Sequence, residues 1–178
     1  MSNTRHIQNI ALIGFMGTGK SSVAQLIAGH IHFAFFDTDQ TIESRAGKSI
    51  AEIFAQDGEP AFRELEKKIV EELASQTRTV ISTGGGLPIH EANLASLKTH
   101  SLVVCLWASP ETIWERVRHQ NHRPLLNESD PLAKIRALLA AREPHYRQAD
   151  VLVNTEMRSA REVAQQVIHQ FQIAQSGR

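Results

Sequence analysis

A glycine-rich turn that directly follows an apolar run is the feature that most constrains how this chain can fold. Residues 7–13 are mostly apolar and predict a buried strand, and residues 21–30 carry apolar side chains at helical spacing. Between them the sequence matches G-x-x-x-x-G-K-[ST] at four positions: Gly14, Gly19, Lys20 and Ser21. In a strand–loop–helix setting, this pattern turns backbone N–H groups toward phosphate oxygens. We therefore expect a phosphate-binding loop in which Lys20 reaches the outer phosphates and the Ser21 hydroxyl can bind Mg²⁺.

Predicted strands and helices alternate along the chain. The predicted strands are 7–13, 33–36, 79–82, 102–107 and 151–153, and the predicted helices are 21–30, 49–56, 60–75, 110–118, 131–146 and 159–171. Apolar strands that alternate with helices are typical of a parallel sheet covered on both faces, so we expect an α/β fold. No repeat or Pro/Gly/Ser-rich linker divides the sequence, and its length fits a single domain over residues 1–178.

The balance of charge and the cysteine content limit the possible partners. The chain carries 19 acidic and 19 basic residues, and a net charge of zero argues against a general binder of nucleic acids or membrane surfaces. Cys105 is the single cysteine, so no internal disulfide can form and a reducing compartment is the simplest interpretation. Residues 1–9 are polar, and the apolar stretch after them is too short for a signal core or a membrane span. We expect a cytoplasmic monomer with no nucleic-acid and no membrane partner.

Two further polar segments follow predicted strands. Asp37 and Asp39 come after the second strand, and three glycines at 84–86 come after the third. Because ligands gather at the carboxyl ends of parallel strands, these segments and the phosphate-binding loop point to one crevice. The third strand ends without a carboxylate, so the two aspartates are the nearest candidates to serve a metal and an acceptor hydroxyl. The alternative is that one of them caps a helix that starts near Thr41.

Three arginines are candidates to bind an anion. They are Arg63 on an amphipathic helix, Arg142 on a later helix and Arg123 in the polar segment 119–130. A guanidinium fork matches a carboxylate or a phosphate group in a bidentate way. For each arginine taken alone, a surface position or an ordinary ion pair is the simpler explanation.

Six segments gain a more specific meaning when they are considered together. They are G-F-M-G-T-G-K-S (14–21), F-D-T-D (36–39), G-E-P-A-F-R-E-L-E (58–66), S-T-G-G-G (82–86), R-P-L-L (123–126) and R-E-P-H-Y (142–146). In this order and spacing they resemble the shikimate kinase family over residues 9–171. The resemblance implies a P-loop fold like that of nucleoside-monophosphate kinases, with a five-stranded parallel sheet in the order 2-3-1-4-5. It also implies transfer of the γ-phosphate of ATP to the 3-hydroxyl of shikimate, with Mg²⁺ as cofactor.

The resemblance assigns roles on the acceptor side, mainly in the region 37–66. Asp39 is similar to the residue that binds shikimate hydroxyls and serves as the base. Asp37 is similar to the residue that, with Ser21, helps to hold Mg²⁺. Arg63 and Arg142 match the arginines that bind the shikimate carboxylate. The other matched positions are Gly85 and Gly86, whose backbone touches the substrate, Glu66, which orders the pocket near Arg63, and Phe54 and Phe62, which line the pocket or belong to the core.

On the nucleotide side, the resemblance implies a set of ATP-binding residues and a mobile lid at 119–130. The set is Gly14, Gly17, Thr18, Gly19, Lys20, Ser21, Ser22, Arg116, Arg123 and Arg158. Arg116 matches a position beside the adenine ring, where a flat guanidinium can stack. Arg123 matches the lid arginine that swings onto the transferring phosphate, and with Asp39 and Lys20 it forms the expected catalytic set. Leu87 with Pro88, and the loop at 154–160, depart from the family pattern.

Two alternatives stay open on the sequence. A related small-molecule kinase, such as gluconate kinase, also acts on an acceptor that carries a carboxylate. A non-catalytic kinase-like domain would bind a ligand or a partner without turnover. Such a domain would be free to lose Lys20, Asp39 or Arg123, and this chain keeps them.

Overall fold

A parallel sheet forms the centre of the computed structural model, which describes residues 5–119 and 129–176. Its strands are β1 (Asn9–Ile13), β2 (Ala34–Asp37), β3 (Thr79–Ser82), β4 (Ser101–Trp107) and β5 (Val151–Asn154). They lie in the order β2-β3-β1-β4-β5, and every pairing is parallel. The expected fold class and strand order are therefore confirmed.

Helices cover both faces of the sheet. They are α1 (Lys20–Ile31), α2 (Thr38–Ala46), α3 (Ile50–Gln56), α4 (Gly58–Leu73), α5 (Glu91–His100), α6 (Pro110–Val117), α7 (Pro131–Tyr146) and α8 (Ala160–Ser176), with a 3₁₀ turn at Leu87–Ile89. Side chains of β1 alternate between the faces: Ile10 and Leu12 pack with α1 and α8, whereas Ala11 and Ile13 pack with α4 to α7. This burial on both faces explains why the central strand is apolar throughout.

The register of the strands brings three loops to one edge of the sheet. Leu12 of β1 pairs with Ser82 of β3, and Asp37 of β2 pairs with the same serine. The loops that leave β1, β2 and β3 therefore begin side by side at the carboxyl edge. This is the crevice that the sequence predicts.

Helices α2 and α5 differ from the expectation. The first begins at Thr38, directly after β2, because the Asp37 side chain accepts hydrogen bonds from the amides of Asp39 and Gln40, each at 3.1 Å. The capping alternative is thus correct for Asp37, and the helix starts three residues before the predicted position. Helix α5 is absent from the sequence prediction because its main buried apolar side chains are Leu94 and Leu97, too few to form a helical pattern.

Burial also decides the chemistry of the single thiol. Cys105 lies in β4 with 1% of its surface exposed, and burial raises its pKa to about 12. The thiol is therefore protonated at neutral pH and unreactive. Within the described ranges, no helix combines the length and the apolar character that a bilayer crossing requires.

Candidate active site

The phosphate-binding loop (residues 14–21) has a backbone that requires glycine. Gly14 has a φ of 139°, and a Cβ atom there would lie 2.2 Å from the carbonyl oxygen of Leu106 on β4. Gly19 has a φ of 90° and precedes α1 without any side-chain cap. The first amides of α1 thus lack both an intrahelical acceptor and a capping side chain, which makes this helix end suited to an anion.

Two side chains of the phosphate-binding loop donate hydrogen bonds to the same carbonyl group. The Lys20 ammonium group and the Thr18 hydroxyl each donate to the carbonyl oxygen of Phe15, both at 2.8 Å. Thr18 is buried, so its hydroxyl serves the loop itself, whereas Ser22 lies exposed in the first turn of α1. The structure thus brings the contiguous part of the predicted ATP-binding set into one turn.

Ser21, the last residue of that loop, lies against Asp37, and both side chains carry oxygen atoms that can bind a metal ion. The Ser21 hydroxyl donates to Asp37 Oδ2 at 2.8 Å and lies 3.1 Å from the Ser82 hydroxyl. Asp37 is 8% exposed, and its other carboxylate oxygen caps α2. One hydroxyl and one carboxylate fit Mg²⁺, which usually keeps several waters and binds through one or two carboxylates and substrate phosphates. In the described ranges, no cluster of three or more His, Cys, Asp or Glu side chains offers a complete protein-only metal site.

The glycine loop (residues 84–86) follows β3 and lies against two predicted functional side chains. A Cβ atom on Gly84 would come within 2.4 Å of Asp39 Oδ1, and one on Gly86 would come within 2.9 Å of Arg63 Nη1. Both side chains therefore rest directly on the glycine backbone. A larger residue at either position would displace them.

The middle residue of the glycine loop joins the phosphate-binding loop to Arg142. A Cβ atom on Gly85 would lie 3.4 Å from the carbonyl oxygen of Gly14 and 3.6 Å from Arg142 Nη1. The guanidinium carbon of Arg142 lies 5.5 Å from the centroid of the Phe15 ring, within the range of a cation–π contact. Residues far apart in sequence thus meet around one small loop.

Asp39 has the environment of a proton acceptor. Its Oδ1 atom is buried and has no hydrogen-bond partner among the described residues. Burial and the negative charge of Asp37 raise the pKa of Asp39 to about 6, although the positive charge of Lys20 opposes both effects. A buried carboxylate that is ionised at neutral pH and lacks a partner is poised to accept a hydrogen bond from a ligand hydroxyl.

Arg63 is held by carboxylates of its own helix. Its Nη1 atom donates to Glu66 Oε2 at 2.6 Å, and its Nη2 atom donates to Glu59 Oε1 at 2.9 Å. Glu66 is 1% exposed, and burial raises its pKa although the positive charge of Arg63 lowers it. The predicted role of Glu66 in ordering the pocket near Arg63 agrees with this contact.

Two side chains that the sequence analysis left unassigned also bond to the glycine loop. The Thr38 hydroxyl accepts from the amide of Gly84 at 2.9 Å, and the Tyr146 hydroxyl donates to the carbonyl oxygen of Gly85 at 2.7 Å. A signal existed for both, since Thr38 lies between two aspartates and Tyr146 follows Arg142 by one helical turn.

The two candidate pocket phenylalanines pack against each other. The centroids of the Phe54 and Phe62 rings lie 4.8 Å apart, and Arg63 lies over the Phe62 ring at 5.3 Å. Phe62 is buried in the core, whereas Phe54 is 39% exposed. Core packing is therefore correct for Phe62, and its contact with Arg63 also places it beside the site.

The predicted adenine-side arginines point in different directions. Arg116 donates to the hydroxyl and the carbonyl oxygen of Thr155 at 2.9 and 2.8 Å, and to the carbonyl oxygen of Gly17 at 3.3 Å. It thus joins the phosphate-binding loop to the loop at 154–160. Arg158 instead donates to the side chain of Gln166 on α8. Arg123, and most of the predicted lid at 119–130, lie outside the described residues.

Comparisons with known proteins agree with this geometry. Residues 16–172 match the family model described as shikimate kinase. A shikimate kinase from Thermodesulfovibrio yellowstonii is 40% identical over 172 residues, which cover 97% of this chain and 99% of the relative. A solved shikimate kinase from Acinetobacter baumannii, in complex with shikimate, superposes with a TM-score of 0.89 at 35% identity over 95% of each chain.

The runner-up class is more distant in the same comparisons. A gluconokinase structure from Sinorhizobium meliloti covers 97% of each chain with a TM-score of 0.62, but it is only 18% identical and so shares the fold alone. The curated shikimate kinases cover a similar share of the chain but are 40 and 42% identical to it, more than twice as much. The chain belongs to the shikimate kinase family, whose members are ATP-dependent kinases.

Proposed function

We propose that this protein transfers the γ-phosphate of ATP to the 3-hydroxyl of shikimate, producing shikimate 3-phosphate and ADP, with its residues in the roles described below. The observation that carries these roles is the convergence of Asp39, Arg142 and Arg63 on three successive glycines. Shikimate carries a carboxylate and several hydroxyls. Two guanidinium groups suit the carboxylate, and one buried carboxylate with a free oxygen suits a hydroxyl.

The phosphate-binding loop acts on the charge of the group in transfer. Phosphoryl transfer needs positioning and charge stabilisation more than covalent catalysis. Lys20 exchanges its contact with the Phe15 carbonyl for the outer phosphate oxygens, and the first amides of α1 donate to the inner ones. The predicted role of Arg123 in the same step stays a prediction.

Asp39 orients the acceptor hydroxyl and takes its proton late in the transfer. With a pKa of about 6, the carboxylate is mainly ionised at neutral pH and still basic enough to accept a proton. Its contact with Gly84 fixes where its free oxygen lies. The nearby Lys20 charge favours the ionised form before transfer.

Ser21 and Asp37 are the residues that would hold Mg²⁺. Their oxygens lie 2.8 Å apart beside the phosphate-binding loop, and hard oxygen donors of this kind suit the ion. A bound Mg²⁺ would supply positive charge to the phosphate oxygens. Because one Asp37 oxygen also caps α2, its side chain keeps its orientation whether or not the ion is bound.

The remaining expectations concern the state and place of the protein. We infer that it acts as a monomer, as the sequence analysis expects. A cytoplasmic location agrees with the single cysteine, which leaves no internal disulfide to form. Both inferences can be tested by sedimentation and by cell fractionation.

Measurement of ADP release with shikimate, gluconate and nucleoside monophosphates tests the proposal. We expect turnover with shikimate and little with the others. Changing Arg142→Ala should raise the KM for shikimate about tenfold, because a charge-assisted hydrogen bond contributes about 1.5–3 kcal/mol, and leave the KM for ATP nearly unchanged. Arg147→Ala is the matched control, since this arginine lies five residues further on, directly after the end of α7, and its side chain is 67% exposed.

Two outcomes would contradict the proposal. One is a kcat/KM for gluconate or a nucleoside monophosphate as high as that for shikimate. The other is an Arg142→Ala enzyme whose affinity for shikimate equals that of the wild type and of Arg147→Ala.

A further inference from the structure

Thr38 and Tyr146 are buried polar side chains that reach the glycine loop from two different helices. Thr38 is 0% exposed and Tyr146 is 5% exposed. The first belongs to α2 and the second is the last residue of α7. Each makes one hydrogen bond to the glycine backbone, through the amide of Gly84 or the carbonyl group of Gly85.

The hydrogen bond of Thr38 positions the part of the site that contains Asp39, the proposed base. Thr38 immediately precedes Asp39, whose Oδ1 atom lies so close to Gly84 that a Cβ atom there would come within 2.4 Å. The Thr38 hydroxyl accepts from the amide of the same glycine at 2.9 Å. The hydrogen bond therefore locks the first turn of α2 onto the glycine loop and determines where the Asp39 carboxylate lies.

The hydrogen bond of Tyr146 positions the part of the site that contains Arg142, the arginine that we propose binds the acceptor carboxylate. Residues four apart share one face of a helix, so Tyr146 and Arg142 both face the glycine loop from α7. The Tyr146 hydroxyl donates to the carbonyl oxygen of Gly85 at 2.7 Å, and Arg142 Nη1 lies 3.6 Å from where a Cβ atom on Gly85 would be. Burial raises the pKa of Tyr146 to about 12, so the phenol remains a donor at neutral pH.

We infer that Thr38 and Tyr146 are positioning residues with separable effects: Thr38 aligns Asp39 for proton transfer, and Tyr146 aligns Arg142 for binding of the acceptor carboxylate. The inference rests on the proposed function, since it assigns the two effects to that reaction. The two bonds lie on adjacent residues of one loop, Gly84 and Gly85. This loop therefore connects the proposed base to the arginine that we propose binds the acceptor carboxylate.

Kinetic constants of two hydroxyl-deletion variants test the inference. Tyr146→Phe should raise the KM for shikimate about fivefold, as expected for loss of one hydrogen bond, with kcat and the KM for ATP within about twofold. Thr38→Val should lower kcat about fivefold or more with little change in the KM for shikimate. Thr38→Ser keeps the hydroxyl and should restore kcat.

Thr79→Val is the matched control for loss of a buried threonine hydroxyl. Thr79 lies at the other end of β3, is 3% exposed, and donates from its hydroxyl to the carbonyl oxygen of Thr77 at 3.1 Å. It should leave KM and kcat unchanged. If Tyr146→Phe and Thr38→Val change KM and kcat in the same proportion, or change neither, the inference is wrong and the two residues only stabilise the fold.

Exchange of the Gly84 amide hydrogen, followed by NMR, gives a readout that needs no turnover. Thr38→Val should speed this exchange at least about tenfold, because the amide loses its acceptor, whereas Thr38→Ser and Thr79→Val should not. Absence of shikimate phosphorylation by the wild type would refute the proposed function, and the exchange rates would then decide about the Thr38 bond separately. Unchanged exchange in Thr38→Val overturns the inference in either case.

Discussion

The phosphate-binding loop and the acceptor site lie side by side but are built in different ways. The first is one continuous turn, shaped by glycines and closed by side chains that bond to the carbonyl group of Phe15. The second takes Asp39 from α2, Arg63 from α4 and Arg142 from α7, and brings them together on the glycine loop. A continuous loop keeps its geometry by local backbone conformation, whereas an assembled site depends on long-range packing.

This difference has a consequence for how each half responds to mutation. Loss of the Lys20 charge should affect every acceptor alike, because Lys20 acts on the phosphoryl group, which is the same whichever acceptor is bound. Changes around the glycine loop should separate binding of the acceptor from catalysis. Variants of Lys20, Asp39, Gly84 and Glu66 separate these two kinds of response.

Lys20→Ala should cause the largest loss. Removal of one side chain that stabilises the negative charge of the transition state typically lowers kcat by about 100- to 1000-fold. The fold should persist, because Thr18 and the glycine backbone still hold the rest of the loop. Steady-state kinetics and circular dichroism check the two parts. A Lys20→Ala enzyme with the turnover of the wild type and a normal spectrum would show that Lys20 does not stabilise the phosphoryl group in transfer.

Asp39→Asn should lower kcat about 100-fold, since the amide keeps the shape of the side chain but cannot accept a proton. Single-turnover measurements at saturating ATP check this step. The matched control is Asp57→Asn, a carboxylate that is 42% exposed on the surface and pairs with Lys48. Equal single-turnover rates for Asp39→Asn and Asp57→Asn would show that Asp39 does not act as the base.

The same substitution should stabilise the metal-free protein in a pH-dependent way. The pKa of Asp39 in the folded state, about 6, lies above its ordinary value of 3.8, so the folded state favours the neutral form. Ionisation of Asp39 therefore lowers the stability of the wild type as pH rises from about 4 through 6, and Asp39→Asn lacks this contribution. The charged groups that set this pKa are Asp37, Lys20, Glu66 and Glu43.

Thermal unfolding at pH 4 and pH 8 in the presence of a chelator measures the effect. Asp39→Asn should melt above the wild type at pH 8, and the difference should shrink toward pH 4. An unfolding temperature of Asp39→Asn below that of the wild type at pH 8 would show that the buried carboxylate is not strained by its surroundings.

Gly84→Ala should have a smaller but selective effect. The added Cβ atom meets Asp39 Oδ1 at 2.4 Å and must displace it, and misplacement of a reacting group by about 1 Å costs about tenfold to 100-fold in kcat. Gly29→Ala adds the same atom to α1, where nothing lies within 4 Å. That control should keep full activity and gain up to about 1 kcal/mol in helix stability.

The comparison of Gly84→Ala with Gly29→Ala requires kcat and the unfolding temperature together. Full turnover in Gly84→Ala would mean that the glycine loop tolerates a side chain and that contact with Asp39 does not set its position.

Glu66→Gln should have the smallest effect and act on the acceptor alone. Loss of the charge weakens the 2.6 Å bond that orients Arg63, so the KM for shikimate should rise about fivefold with kcat and the KM for ATP nearly unchanged. Glu59→Gln is a close control, since Glu59 bonds to the same arginine but is 61% exposed, and it should change KM less than about twofold. Equal shifts for both would show that burial of Glu66 is irrelevant to the site.

The predictability of the site from sequence follows the same division. Lys20 and Ser21 belong to a motif whose function depends on local backbone geometry, so their roles follow from neighbouring residues. Asp37 could be interpreted as a metal ligand or as a helix cap, and the structure shows that one oxygen caps α2 while the other meets Ser21. Local sequence could not resolve this, because the two functions use different atoms of one side chain.

For the arginines, a surface ion pair was the simpler explanation of each residue taken alone. Arg63 does form ion pairs, with Glu59 and Glu66, yet it also lies on Gly86, and no pattern within α4 indicates that contact. Arg158 has the same kind of side chain as Arg116, but it forms its hydrogen bond with Gln166 and not with the phosphate-binding loop. Direction of a long side chain depends on which elements pack beside it, and this is invisible in composition or spacing.

The sequence by itself determined the alternation of strands and helices, the parallel sheet and the phosphate-binding loop, because each depends on periodicity or on backbone geometry over a few neighbouring residues. Only the tertiary structure decided that Asp39, Arg63 and Arg142 surround one glycine loop, and that Thr38 and Tyr146 both form hydrogen bonds with that loop. These contacts join residues separated by tens of positions. They arise from the strand register and from helix packing against the sheet, which are properties of the whole chain.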